Sequence, residues 1–279
     1  RTAEWYQNNI EVPFFNFYLK NKGDSSRLSE ATVFFSGENE WHKFKQWPPV
    51  EEHQEKIYFD KNGLLSWNTP SASSGYDEYT SDPSKPVPYT EDVHLDRTRE
   101  YMDDDQRFAS RRPDVLVFQT PILNDDVTLA GPLYADLFTS ISTTDADFIV
   151  KLIDVFPDTF SYHSAPPNGI NYPMQGYQML VRGEVMRGKF RKSLEKPEPF
   201  IPNKVEEVKY YMPDVGHTFK KGHRIMVQVQ SSWFPLVDRN PQKFVNIYEA
   251  NASDFQKAQI KIYHNERYPS SVILPLLKK

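Results

Sequence analysis

"RIMVQVQ", residues 224–230, decides how the chain folds: Ile225, Val227 and Val229 fall on odd positions, Gln228 and Gln230 on even ones. Successive side chains of a strand point to opposite faces, so this spacing puts the branched aliphatics on one face and the glutamines on the other. The stretch is a strand with one face in a core. The same period recurs outward from it. "YQMLVRGEVM" (177–186) sets Tyr177, Met179, Val181 and Val185 largely against Gln178, Arg182 and Glu184. "DVLVFQT" (114–120), "VTLAGPLYADLF" (127–138), "DFIVKLIDVF" (147–156), "QIKIYH" (259–264) and "SSVILPLL" (270–277) complete the set. With 22 prolines and turn clusters between these runs, there is little room for the helical crossovers of a parallel sheet. The predicted fold class is all-β, a jelly-roll β-sandwich with long loops.

Two regions break the pattern. In "RTAEWYQNNIEVPFFNFYLK" (1–20), Trp5, Tyr6, Ile10, Phe14, Phe17 and Tyr18 recur at helical spacing. Lys20 and Lys22 would close the last turn and Gly23 would stop it. Pro13 predicts either a kink or a helix restarting there. The stretch from about Gly63 to Arg112 is polar, proline-rich and aperiodic, and is expected to form long loops with one strand pair at most.

Composition narrows the partners. Of 279 residues, 38 % are hydrophobic and 14 % aromatic, which is enough to fill a sizeable core. Net charge is −5, without the basic footprint of a nucleic-acid binder. No apolar run approaches the ~20 residues of a membrane-spanning helix. Neither nucleic acid nor membrane is expected as a partner. With no cysteine, disulfides, thiolate metal sites and cysteine nucleophiles are excluded and the compartment stays open, a bacterial periplasmic or secreted parent included. The chain opens at Arg1 and closes on Lys278 and Lys279, and reads as a piece of a longer protein.

No catalytic constellation is legible. A G-x-S-x-G elbow needs glycines four apart, and no two of the 11 glycines are. Ser231 and Ser232 end the 224–230 strand and read as structural hydroxyls. "GEVMRGK" (183–189) imitates a phosphate loop, but it alternates as a strand and Phe190 follows where Ser or Thr should hold magnesium. Asp103, Asp104 and Asp105, and Asp145 and Asp147, lack calcium-loop spacing and are expected to be solvated or structural; Asp147 and Asp154 flank a strand and could pair with an arginine such as Arg187. The histidines (42, 53, 94, 163, 217, 223 and 264) show no metal spacing and are expected mostly at the surface or in turns. No metal ligand, catalytic residue or cofactor is assigned. In "SSWFPLVDRNPQ" (231–242), Asp238, Arg239 and Asn240 follow a buried strand and can satisfy backbone groups where the chain leaves the sheet. They predict a hydrogen-bonded corner.

The stretch "GHRIMVQVQSSWFPLVDRNPQ" (222–242) also resembles a signature near the end of a family of serine hydrolases. That family includes cocaine esterase, X-Pro dipeptidyl peptidases, glutaryl-7-aminocephalosporanic acid acylase and α-amino acid ester hydrolase. "FFNFYLKNKG", "FFSGENEWHKFKQWPP" (34–49), "YTSDPSKPVPY" (79–89), "DQRFASRRPDVLVFQTPIL" (105–123), "DADFIVKLIDVFPD" (145–158) and "GYQMLVRGEVMRGKFRKS" (176–193) follow the family in order. "YMDDDQRFASRRPDVL" and "MVQVQSSWFPLVDRNPQ" look most like the α-amino acid ester hydrolase branch. The resemblance implies a parent with an α/β-hydrolase core, a helical cap and a C-terminal jelly roll, its catalytic triad lying upstream of Arg1. It implies that residues 1–24 are the last helix of that core, that residues 25–279 are the jelly-roll domain, and that this stretch alone is not an enzyme.

The role implied is to wall the parent's active-site cleft, to pack on its catalytic and cap domains and to support oligomer contacts. By position the resemblance places Tyr101, Met102 and Asp103 on the wall of an acyl pocket. An independent carbohydrate- or ligand-binding jelly-roll module is the other reading, since such folds host lectins. The aromatic-rich helix discriminates between them, because a free-standing module has no use for it. Left without its partner, that helix is expected to drive self-association.

Overall fold

A computed structural model describes residues 2–25, 28–96, 98–162 and 172–278; Arg1, His163 and Lys279 lie outside the described residues. Helix α1 (Thr2–Tyr6) continues through one wider turn (Gln7–Glu11) into α2 (Val12–Lys20). Pro13 sits in the first turn of α2, where its missing N–H costs nothing, so the helix restarts there. The stop is Asn21, at φ 49°, two residues before the expected Gly23.

Among the described residues thirteen strands follow: β1 (Ala31–Phe35), β2 (Glu40–Phe44), β3 (Glu52–Asp60), β4 (Leu64–Ser66), β5 (Tyr76–Ser81), β6 (Leu116–Gln119), β7 (Val127–Ile141), β8 (Asp147–Val155), β9 (Gln178–Arg187), β10 (Glu206–Phe219), β11 (Arg224–Gln230), β12 (Ala258–Tyr263) and β13 (Ser271–Leu277). β1 and β2 form a separate hairpin. The rest form the β-sandwich. One wall gathers around the long β7, which pairs antiparallel with β10, β12 and β13. The other runs β6-β11-β8-β9, and β3 and β4 join the two walls. The inward phase of each strand makes one core, with Leu133, Ala135 and Leu137 of β7 and Val208, Tyr210 and Met212 of β10 facing Phe148, Val150 and Leu152 of β8 and Ile225, Val227 and Val229 of β11. All are nearly devoid of exposure.

Every strand read from alternation is present, within a few residues at its ends. β10 escaped that reading. Its register with β7 slips between Met212 and Val215, so the buried phase changes from Val208, Tyr210 and Met212 to Val215, His217 and Phe219. A bulge of this kind breaks the period of two on which the reading depends. The 63–112 region holds β4 and β5 rather than one strand pair; β4 pairs with β3 and β5 with β12.

The polar face of β11 also departs from expectation. Gln228 and Gln230 are fully buried, because the stretches around 85–110 and 231–240 lie over the outer face of the second wall. Tyr89, Ile149 and Trp233, with Tyr101, Leu180, Leu236 and Val237 packed around them, form a satellite core there.

Candidate functional site

The layer over β8, β9 and β11 collects the residues singled out in the sequence. Tyr101 lies in a short helical turn (Glu100–Met102). Its ring meets Trp233 edge-on at 5.9 Å and Tyr89 at 5.7 Å. Tyr101 is therefore mostly packed inward, whereas Met102 is half-exposed and Asp103 is exposed. The Asp103 carbonyl accepts from the Tyr177 hydroxyl. Asp104 accepts from Glu91 N at 2.9 Å, and Asp105 from Arg107 Nε at 2.6 Å and from Gln178 N at 3.2 Å. Asp104 and Asp105 thus fasten the loop, and Met102 and Asp103 are what it presents to solvent.

Trp233 links this loop to the corner. Asp238 Oδ1 accepts from Arg187 Nη2 at 2.8 Å, and the same guanidinium contacts Asp147 at 3.1 and 3.2 Å. Asp147 and Arg187 face each other across the β8–β9 ladder, so the pairing suggested by the sequence is present. Asn240 donates to Asp147 Oδ1 at 2.8 Å and accepts from Gln242 N at 2.7 Å. Arg239 donates to the Pro83 carbonyl at 3.0 Å, its guanidinium 5.1 Å from the Phe255 ring centre. Neighbouring Asp145 is buried beside the charge of Asp147, and its carboxyl is pushed up to about 6.

Burial ranks these residues. Asn240→Ala strips a donor from a buried carboxylate and an acceptor from a buried N–H, and should cost about 1–3 kcal/mol. Asp238 is half-exposed and its loss leaves Arg187 paired with Asp147, so Asp238→Ala should cost less than about 1 kcal/mol. Urea unfolding of the two variants checks the order; the reverse ranking would mean that the corner is held at its rim.

Ser231 and Ser232 are structural in geometry: Ser231 Oγ lies 2.7 Å from the Tyr79 hydroxyl, and Ser232 Oγ accepts from Val87 N at 2.8 Å. "GEVMRGK" runs along β9 into a short turn, with no helix to receive a phosphate.

Two polar clusters were not read from the sequence. Lys151, in the middle of β8, is fully buried. Its ammonium donates to Gln106 Oε1 at 2.8 Å and lies 5.0 Å from the Trp233 ring centre. Burial alone pushes its pKa down to about 7. A lone lysine in "DFIVKLIDVF" was the signal available. The second cluster crosses the sandwich. Asp154 of β8 holds His217 Nε2 at 3.2 Å and His223 Nδ1 at 2.8 Å, and His217 Nδ1 stands 2.8 Å from Ser36 Oγ. His217, His223 and His264 are buried, exceptions to the expectation that the histidines lie mostly at the surface or in turns, and each has a carboxylate within reach. Asp154 takes these two imidazoles and not an arginine. Ser, His and Asp stand in line, but the aspartate is shared between two rings, and the Ser36 backbone bonds to β10 through Gly216 O and Thr218 N. The cluster pins the β1–β2 hairpin to the sandwich.

A family model described as the X-Pro dipeptidyl-peptidase C-terminal non-catalytic domain matches residues 19–273. The chain is similar to cocaine esterase of Rhodococcus sp. (strain MB1 Bresler), with 30 % identity over 275 residues, covering 95 % of this chain and 45 % of that protein. Among solved structures it is similar to an aminopeptidase from the marine sediment archaeon Thaumarchaeota archaeon, at 38 % identity and a TM-score of 0.90, covering 99 % of this chain and 45 % of that one. It is also similar to an α-amino acid ester hydrolase, at 36 % identity and a TM-score of 0.89, with the same coverage. The chain spans somewhat less than half the length of each of these relatives.

Proposed function

The chain belongs to the X-Pro dipeptidyl-peptidase C-terminal non-catalytic domain family, and from that premise we propose that it is the β-sandwich part of a larger serine hydrolase that cleaves or transfers acyl groups from esters or amides. The parent is of the α-amino acid ester hydrolase or cephalosporin acylase type. In this reading residues 1–24 are the last helix of the parent's α/β-hydrolase domain and residues 25–279 the jelly-roll domain. The sandwich packs on the catalytic and cap domains and walls the cleft, with Met102 and Asp103 at the acyl pocket and Tyr101 as the ring on which they rest.

One observation carries this: nearly all of the chain aligns with less than half of two hydrolases at more than a third identity. The helical segment supports it. Tyr6, Phe14, Phe15, Tyr18 and Leu19 leave about half or more of their surface exposed, while Trp5 stacks on Trp41 of β2 with centroids 4.4 Å apart. Several exposed large apolar side chains on one short helical segment are of the kind that mark a partner surface, and an independent binding module gives them no purpose.

The test is made on the pure chain. It should hydrolyse p-nitrophenyl acetate no faster than buffer, and it should associate in solution until residues 1–19 are deleted. Steady hydrolysis abolished by Ser231→Ala or Ser232→Ala would overturn the reading. A monomer with a protease-resistant N-terminus would turn it toward a self-sufficient module.

A further inference from the structure

The β1–β2 hairpin stands apart from the sandwich as its own sheet, and its tip gathers three groups of the kind that hold a transition metal. Glu40 and His42 are two apart on β2, so a strand's period of two sets both on one face. Glu38 comes from the connecting turn, which Gly37 (φ 86°) and Asn39 (φ 60°) close in left-handed conformations. One donor atom from each of Glu38, Glu40 and His42 lies within 4.8 Å of the other two.

The pairwise geometry points the same way. Glu38 Oε2 and His42 Nε2 share a hydrogen bond 3.0 Å long, whose proton a bound ion would displace. Two ligands about 2.1 Å from one ion stand roughly 3.0–3.4 Å apart when they subtend a right to tetrahedral angle. An outer hydrogen bond already orients Glu38, as such bonds do around protein-bound metals. The second Glu38 oxygen accepts from Thr218 Oγ1 at 2.9 Å, and Thr218 Oγ1 is backed by Thr128 Oγ1 at 2.9 Å. The His42 ring lies 4.5 Å from Phe35. Glu40 is exposed.

We propose that Glu38, Glu40 and His42 form a site for a divalent transition metal, with Zn²⁺ the best fit. One imidazole and two carboxylates suit that ion and leave its fourth position to water. Calcium and magnesium prefer all-oxygen sites and are disfavoured by the imidazole. Through the Glu38–Thr218 bond the ion clips the hairpin to β10. Because it binds only the folded hairpin, it raises stability by mass action.

Calorimetric titration of the whole chain with ZnCl₂, paired with thermal unfolding, tests the site. One Zn²⁺ per chain is expected, with a rise in Tm that EDTA reverses and that CaCl₂ does not reproduce. Glu40→Gln, at an exposed position, should leave the metal-free Tm unchanged and weaken Zn²⁺ at least tenfold. His42→Ala should abolish the metal-dependent rise. No stoichiometric uptake, uptake unchanged in both variants, or calcium binding as tight as zinc would each overturn the assignment.

Discussion

With alanine in place of Asp154 the protein is expected to lose about 3–5 kcal/mol of folding stability, the cost of removing one partner from a buried ionic cluster. Asp154 is wholly buried and is the acceptor for both His217 and His223. Without it, His217 keeps only Ser36, and the tie between β8 of the second wall and β10 is cut, while the β1–β2 hairpin stays bonded to β10 through Ser36. Asparagine should cost less, since it fills the same volume and keeps one acceptor.

The effect of pH has a definite sign. Burial by itself would raise the Asp154 carboxyl, but its bonds to the two imidazoles outweigh that and hold it below its ordinary value. A folded value below the unfolded one, about 3.9, means the carboxylate's contribution is complete above that value and is lost as pH falls through the folded one. Urea unfolding should therefore show a wide gap between parent and Asp154→Ala at pH 7 that narrows only in strong acid. A gap under about 1 kcal/mol at pH 7 would show that the histidines are satisfied elsewhere.

Lys151→Met is expected to act in the opposite direction. The ammonium is buried with one amide oxygen and two aromatic rings for company, and burial lowers its pKa from the ordinary 10.5 to about 7. Between those values the unfolded chain holds a proton that the folded chain has released. Stability thus rises with pH from about 7 toward 10.5, and below about 7 the penalty for a charged amine is constant. At about 1.36 kcal/mol for each unit of the window, the penalty at neutral pH is on the order of several kcal/mol. Methionine removes it at the expense of leaving Gln106 Oε1 unpaired, which costs about 1–3 kcal/mol. A net gain of about 1–3 kcal/mol at pH 7 remains. Thermal unfolding from pH 6 to 10 should show the parent gaining on the variant as pH rises. Parallel curves would mean that Lys151 is charged throughout and better solvated than its burial indicates.

Both residues mark the limit of what could be read from the chain alone. "RIMVQVQ" determined by itself that 224–230 is a strand and which three side chains enter the core, because a period of two is a local property of an extended backbone. The expectation of a corner at Asp238, Arg239 and Asn240 rests on a similar local reason: polar side chains after a buried strand can satisfy backbone groups where the chain turns away. The Asp147–Arg187 pair was also within reach, since both flank strands that alternate clearly. Tyr101, Met102 and Asp103 were reached only through likeness to a family, and no local pattern distinguishes them.

Tertiary structure decided the rest. Gln228 and Gln230 are buried because an aperiodic loop more than a hundred residues earlier closes over them, Gln106 O accepting from Gln228 Nε2 at 3.2 Å. The same cover turns Lys151 from a plausible surface lysine into a buried amine. Ser36, His217 and Asp154 meet although 181 residues separate the first two, and β10 lost its period to a bulge that exists only in its pairing with β7. Alternation records which side of a strand is apolar; whether the polar side meets water or other parts of the chain depends on long-range contacts that no local period encodes.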